Sequence, residues 1–392
     1  MTEGFLMARA VVIDIEDVLE HFAALEDPRS TINRQHSLEE IVVISIMAIL
    51  AGAGGPTSIA KWADMKSEFL TKLLPLPNGI PAKDVFRRVL MALKPDVFQA
   101  CFVQWLTALR EAAAKAMEVE RPTYAVDGKT LRRSHDHKNH LGALHSVTVW
   151  ASDFGLTLAQ VATDDKSNEI TAIPLALSLV DLKDAIITID AMGTQTAIAQ
   201  QIVDGKGDYI LALKGNQGTL FEAACDYIDQ QCLNDFQDIQ AQRLETNEKG
   251  HGRTEARTYI QMPVPKNLSG SDRWAGLLSL GVAILYCIRD GKETAEARYF
   301  ISSLAVNVKQ FAHSVRSHWG IENTCHWCLD VTYREDESRI REKHLRENFA
   351  WLNRFTLSLL KQHQGKDSIA MKRRKCGWNE NYILEILTGP TT

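Results

Sequence analysis

Between Thr123 and Leu213 the chain runs strand, hairpin, helix, strand, helix, strand, and few folds accommodate that order. Thr123 to Val126 reads as a short apolar strand leading into Asp127. Leu144 to Thr163 reads as two alternating β-rich runs about a Ser-Asp-Phe-Gly turn at Ser152 to Gly155. Glu169 to Val180 has a helical pattern, and Ala185 to Ile189 is an apolar strand that ends on Asp190. Thr196 to Val203 is helical again, and Asp208 to Leu213 is a strand that closes on Lys214-Gly-Asn-Gln217. Strands this apolar are buried on both faces, which predicts a mixed α/β sheet. Functional groups on such sheets usually sit at the carboxyl ends of the strands, where Asp127 and Asp190 are both expected.

The flanking segments differ in texture. Residues 1–120 alternate helical runs with breakers. Ser37-Leu-Glu-Glu40 has the spacing of a capping box, and an apolar run follows it to Gly52, Gly54, Gly55 and Pro56. A second helix is expected from Thr57 or Ser58 towards Pro75. A third carries Val85, Phe86, Val89, Leu90 and Leu93 and stops before Pro95, and another continues through Trp105 and Leu109. Arg87 and Arg88 form a basic edge that suits either a helix-turn-helix surface or a solvated face. The pattern becomes β at Arg121-Pro122. From Phe221 to Val306 it is strand-rich, with Arg253 to Met262, Leu277 to Arg289 and Ala295 to Leu304 as strands. Helical texture returns from Val308 to about His363, and Lys372-Arg-Arg-Lys375 marks a basic tail.

A chain of 392 residues exceeds one typical domain, and 45% hydrophobic with 24% charged residues excludes extensive disorder. Seven scattered Cys make no disulfide framework, and the N-terminus lacks the features of a secretory signal, so a cytoplasmic protein is expected. The most apolar run, Ile41 to Ala53, is too short for a membrane span and reads as a core helix.

Three carboxylates stand out: Asp127 in Tyr124-Ala-Val-Asp-Gly-Lys129, Asp190 in Ile187-Thr-Ile-Asp-Ala-Met-Gly193, and Glu322 in His318-Trp-Gly-Ile-Glu-Asn323. Phosphodiester chemistry uses hard oxygen ligands of this kind, because Mg²⁺ prefers carboxylates and water and keeps positions open for substrate oxygens. A single Asp at a strand end is commonly a turn residue, and His318 or His326 offers Glu322 an ordinary helical pair. The conjunction of all three points to chemistry.

Other constellations compete. Cys325-His-Trp-Cys328 has no second C-x-x-C, and on a helix the pair would face the core beside Ile321 and Leu329. His135, His137 and His140 lie in a basic loop with Lys129, Arg132, Arg133 and Lys138, and that loop suits a phosphate backbone or plain solvation. Lys214-Gly-Asn-Gln217 permits close backbone approach to a phosphate. Trp319 and Trp327 are spaced for core packing more than for stacking on a base.

With those residues on view, the chain from roughly residue 15 to 375 resembles the DDE transposases of the ISAs1 group, within the wider IS4-like set and close to the bacterial H repeat-associated proteins. The matching stretches, in order, are Tyr124 to Arg133, Lys166 to Ile170, Ile187 to Gln195, Tyr209 to Gln217 and Arg316 to Arg341. The resemblance implies an α/β, RNase H-like mixed-sheet catalytic core with a β-rich insertion, preceded by an all-α N-terminal domain. The expected boundaries are 1–120 for the helical transposase-associated domain, 121–220 for the first part of the core, 221–306 for the insertion, 307–365 for the helical part with the catalytic Glu, and 366–392 for the basic tail. It implies Asp127, Asp190 and Glu322 as catalytic residues and ligands of Mg²⁺ or Mn²⁺. The activity implied is cleavage at the ends of an insertion sequence and strand transfer into target DNA. Terminal inverted repeats and target DNA would be partners, with a homodimer in the DNA complex. A catalytically inactive DNA-binding relic and a related nuclease are the alternatives.

The chain departs from the IS4-like pattern near the Glu. That pattern has Tyr and Arg before the Glu and Lys seven residues after it, where this chain has Val315, His318 and Leu329. Arg316 can take the place of the Arg. Lys129, Arg132, Arg133, Lys214, Arg316, His318, Arg339, Arg341 and Lys343 are the expected DNA contacts. The net charge of −5 does not oppose this, because it is unevenly spread. Residues 333–375 hold 12 Lys+Arg against 6 Asp+Glu, whereas residues 1–40 hold 3 against 9. DNA is therefore expected along the C-terminal basic helices and the loop after Asp127, and not across the acidic N-terminal face.

Overall fold

The structure, a computed structural model, describes residues 15–32, 34–136, 140–163, 169–250 and 253–388. Lys166, Ser167 and Asn168 of one matching stretch, and His137 and Lys138 of the basic loop, lie outside the described residues.

Seven helices come first: α1 (Ile15–Ala23), α2 (Leu38–Leu50), α3 (Pro56–Met65), α4 (Ser67–Leu73), α5 (Lys83–Ala92), α6 (Pro95–Ala100) and α7 (Val103–Met117). The capping box forms as its spacing requires. Glu40 N–H donates to Ser37 Oγ at 3.1 Å, and Ser37 N–H donates to Glu40 Oε2 at 3.1 Å. Every residue of α2 except Glu39 is buried, and Ser45 satisfies its hydroxyl on Ile41 O at 2.7 Å. The single helix expected after Gly55 is two, α3 and α4. Pro56 occupies the first turn of α3, where its missing N–H costs nothing.

The sheet begins with β1 (Thr123–Leu131), β2 (Leu144–Ala151) and β3 (Leu156–Thr163), which form an antiparallel meander. After α8 (Glu169–Ser178), β4 (Ile186–Ile189) lies parallel to β1; after α9 (Thr196–Asp204), β5 (Asp208–Leu213) lies parallel to β4. One expectation is corrected here. Asp127 is not at the end of its strand, because β1 continues to Leu131 on its antiparallel bonds to β2 after its parallel pairing with β4 has stopped at Val126.

Strands do not resume at Phe221. A helix, α10 (Gly218–Leu233), comes first and buries Leu220, Ala224 and Ile228 at spacings of four. Then come β6 (Gln242–Gly250), β7 (Arg253–Pro263), β8 (Ser279–Arg289) and β9 (Lys292–Ser302). These four extend the same sheet, since β9 pairs antiparallel with β5 and the order is β3-β2-β1-β4-β5-β9-β8-β7-β6. The polar edge strand β6 is hidden from sequence reading because Arg243, Glu245, Glu248 and Lys249 give it no apolar alternation; such charges also protect an edge from further pairing.

The last part holds α11 (Val308–Gly320), a π-helical turn over Ile321–His326, α12 (Trp327–Val331), α13 (Lys343–Gln362), α14 (Ile369–Trp378) and α15 (Glu380–Thr388). Helix α13 is buried all round from Leu345 to Leu360. Its apolar side chains share one core with those of α1 to α7, including Phe102 against Phe355 at 4.5 Å between ring centroids. Its buried polar groups bind the helical layer together and tie it to the sheet. Asn348 donates to Leu90 O and Leu93 O at 2.9 Å, and Thr157 N–H of β3 donates to Ser358 Oγ at 3.0 Å.

Two cations of the basic tail are structural and not part of a solvated basic face. Lys372 Nζ caps the end of α13 on Leu360 O (2.9 Å) and His363 O (2.6 Å), while Arg373 donates to Ile49 O at 2.9 Å and stacks on Tyr333. Both side chains are buried.

Candidate active site

Val126 pairs with Ile189 across the parallel ladder of β1 and β4, so the next residue on each strand, Asp127 and Asp190, stands beside the other where the ladder opens. Asp190 is exposed and shapes its own turn: its Oδ1 accepts the N–H groups of Met192 at 3.1 Å and Gly193 at 3.2 Å. The turn-residue role weighed for it is real and uses one carboxylate oxygen. Glu322 is exposed on the π-helical turn between α11 and α12. In that turn Trp327 N–H donates five residues back, to Glu322 O, which rotates the helix face at this point. Neither histidine forms the expected helical pair with Glu322. His318 Nδ1 lies 3.0 Å from Thr188 Oγ1, and His326 Nδ1 lies 3.5 Å from Asp127 Oδ2.

Asp127 reports how these groups sit. Its carboxyl is pushed up to about 7, first by burial, opposed by the Gly128 N–H, and then raised by the negative charges of Glu322, Asp190 and Glu169. Burial holds His326 down at about 3, with Arg354, Lys129 and His318 adding to the effect, and holds His318 down at about 4. Both imidazoles are therefore neutral near pH 7, and neither cancels the acidic charge.

Glu169, His145 and Gly128 belong to this site, and sequence reasoning misses them as members. His145 Nε2 lies 2.6 Å from Glu169 Oε1, and both side chains are buried. The pair rests on Gly128, where any Cβ would run into the Glu169 carboxylate and the His145 ring. The available signal is the position of Glu169 in a matching stretch, but its contact depends on β2 pairing antiparallel beside β1, which brings His145 next to Gly128.

Lys129 also differs from expectation. It is buried, with Nζ 2.6 Å from Asp330, 3.4 Å from Asp336 and 3.9 Å from Glu335. Its charge is taken up by acidic side chains under the site and is not presented at the surface, where a DNA contact was expected. Beneath it Arg354 and Glu335 pair at 3.1 Å with side chains 0% and 1% exposed, which fastens α13 to the turn after α12. His318, also expected at the DNA, is neutral and engaged with Thr188 of β4.

The remaining expected contacts are exposed. Arg132 lies 3.5 Å from Asp336 and Arg316 3.2 Å from Glu248. Arg133, Lys214, Arg339, Arg341 and Lys343 have no ion pair among the described residues, and Lys214 lines a cleft with Asp190. Trp319 lines that cleft and also a second one that Glu322 lines. The expectation of core packing fails for both tryptophans: Arg298 lies over the Trp319 ring at 4.2 Å, and Trp327 is 56% exposed. Cys325 and Cys328 do lie in the core with Ile321 and Leu329, and burial pushes the Cys325 thiol up to about 12.

The donor set suits a hard divalent cation, being carboxylate oxygen with Asp127 carrying an uncompensated burden of negative charge. Among the described residues no three His, Cys, Asp or Glu side chains converge closely enough to hold an ion as they stand.

The chain belongs to the DDE transposase family. The pattern of the family described as "Transposase DDE domain" matches residues 118–360, and that of "DDE_Tnp_1-associated" matches residues 19–106. The chain is 37% identical over 380 residues to the Escherichia coli O157:H7 protein named "Putative transposase YncI", covering 96% of this chain and 95% of that one. It is 34% identical over 383 residues to "H repeat-associated putative transposase YhhI" of Escherichia coli K12, covering 96% and 99%. The solved piggyBac transposase synaptic complex with hairpin DNA aligns over 96% of this chain and 78% of that one, at 10% identity and a TM-score of 0.38. No helix among the described residues is long and apolar enough to cross a membrane.

Proposed function

We propose that this insertion-sequence transposase cleaves DNA at the ends of its element and joins the freed 3′-hydroxyl to target DNA, using Asp127, Asp190 and Glu322 with Mg²⁺ or Mn²⁺. The observation that carries the reading is the placement of Asp127 beside Asp190 just past the last β1–β4 pair, Val126 with Ile189, with the Glu322 charge acting on Asp127. The order β3-β2-β1-β4-β5, antiparallel through the first three and parallel through the last two, supports an RNase H-like core spanning residues 121–220. In this division residues 221–306 extend that core, 307–365 supply Glu322, and the helices of 1–120 and 366–392 brace it.

A divalent cation bound here supplies Lewis acidity to the attacking and leaving oxygens of the phosphodiester. Asp127 and Asp190 provide adjacent anionic oxygens, the second with one oxygen fixed by its turn. Glu322 approaches from the π-helical turn, so rotation of that turn sets how far its carboxylate reaches. Neutral His326 and buried Lys129 hold the floor of the site without adding a competing cation at its surface. Exposed Arg132, Arg133, Lys214 and Arg316 neutralise DNA phosphates around the acidic centre. Two copies of the chain bring the two element ends together in the DNA complex.

The test is strand cleavage of a duplex carrying the element end, with Mg²⁺ and with Mn²⁺. Asp127→Ala, Asp190→Ala and Glu322→Ala should each abolish it; cleavage that survives all three substitutions refutes the assignment. A second reading, a DNA-binding relic, draws on the carboxylates that do not converge to hold an ion. Salt-dependent duplex binding with no cleavage in either metal selects it.

A further inference from the structure

Three of the expected DNA contacts, Arg339, Arg341 and Lys343, gather with Arg87 of the N-terminal helices in one cleft. Arg87 of α5, Arg339, Arg341 and Lys343 line an opening of about 740 Å³ between the N-terminal helices and the segment entering α13. All four are exposed, and none has an ion-pair partner among the described residues. Two acidic residues share the lining, Asp136 and Glu342. Glu342 is committed to the helix it precedes, accepting the Leu345 N–H at 2.7 Å. Asp136 sits in a backbone bridge with Leu141, and the residues flanking that bridge are held where buried Arg346 donates to Ser134 O at 3.2 Å and Gly142 O at 2.7 Å. The charge is thus positive and the floor is fixed. The start of α3, with Pro56 and Thr57, closes one side.

The cleft lies past the end of β1. Four residues of extended strand separate Asp127 from Leu131, about 13 Å. At 3.4 Å per base pair that is about four steps of duplex from the acidic site, before the turn adds more.

We propose that this cleft seats the phosphate backbone of the duplex whose scissile phosphate reaches Asp127, with Arg87, Arg339, Arg341 and Lys343 as the neutralising cations. The proposal rests on the reading of the chain as a DNA-cleaving transposase and adds to it. The N-terminal helices grip DNA jointly with the segment entering α13, and the buried Lys372 and Arg373 take no part.

Phosphate contacts carry no sequence, so a fluorescein-labelled duplex of arbitrary sequence is a sufficient probe. Binding of the full chain is followed by fluorescence anisotropy across about 50 to 200 mM NaCl. Arg87→Ala, Arg339→Ala, Arg341→Ala and Lys343→Ala should each lower the slope of log K against log salt by about 0.9, and the four together by about 3 to 4. Arg341→Lys should keep the wild-type slope, and Lys115→Ala on the exposed face of α7 should leave it unchanged. A wild-type slope in the fourfold variant overturns the cleft while leaving the transposase reading intact, as does an equal fall in Lys115→Ala. A wild-type chain that binds no duplex overturns both. Melting curves superimposable on wild type exclude misfolding as the cause of a lowered slope.

Discussion

Replacing Asp127 with asparagine should make the metal-free protein more stable at pH 8 while destroying its activity. The carboxyl titrates near 3.8 in an unfolded chain and at about 7 in the fold. A raised carboxyl pKa means that the folded state holds its proton longer. Stability is therefore fully present below pH 3.8 and is lost progressively as pH rises towards 7. Three pH units at 1.36 kcal/mol each set an upper limit of about 4 kcal/mol. The Asp127 side chain is 22% exposed, so solvent screening reduces this to roughly 1–3 kcal/mol. The amide keeps the shape and carries no charge, so it removes the cost at high pH and changes little at pH 4. At about 2 °C per kcal/mol for a chain of this size, the Asp127→Asn variant should melt roughly 2–6 °C above wild type at pH 8 in EDTA. Thermal melts of both proteins at pH 4.5 and pH 8 provide the measurement, and their difference cancels the other titrating groups. Adding Mg²⁺ at pH 8 should raise the wild-type melting temperature more than that of the variant. Equal melting differences at the two pH values would refute the reasoning, because Asp127 would then carry no burden from burial or from its acidic neighbours.

Other outcomes follow from the floor of the site. Lys129→Met should destabilise the protein by about 2–4 kcal/mol, read as a lower urea midpoint, because it strands Asp330, Glu335 and Asp336 without their shared cation; the salt slope of DNA binding should not change. Arg354→Met leaves the buried Glu335 carboxylate with only the Asn353 amide and the more distant Lys129 beside it and should cost roughly 3 kcal/mol by the same measurement. Gly128→Ala drives a methyl group into Glu169 and His145; it should cost on the order of 1–3 kcal/mol and lower cleavage, and restored activity in Gly128→Ala combined with Glu169→Ala would identify the clash as the cause.

What can be read from the sequence depends on how far each group lies from the group that explains it. Asp190 is legible because the apolar run Ile186–Ile189 and the turn that follows are local, and the Ser37–Glu40 capping box is legible for the same reason. Asp127 stands out through the run before it, although the strand continues past it on bonds to β2 that the run does not reveal. Lys129 is misleading in sequence because the three carboxylates that claim it come 201 to 207 positions later, at Asp330, Glu335 and Asp336. Lys372 and Arg373 mislead for a related reason: four consecutive cations resemble a solvated face, but the carbonyls of Leu360, His363 and Ile49 that bind two of them belong to other parts of the helical layer. Both cases inflate the count of cations available to DNA, and correcting them moves the expected contact surface. Charge along the chain points to the C-terminal helices, whereas charge left after internal pairing points to Arg87, Arg339, Arg341 and Lys343, three of them at the entry to α13 and one from the otherwise acidic N-terminal block. An acidic total is compatible with DNA binding because binding draws on these unpaired surface cations, while several of the acidic groups are already spent on buried lysine and arginine.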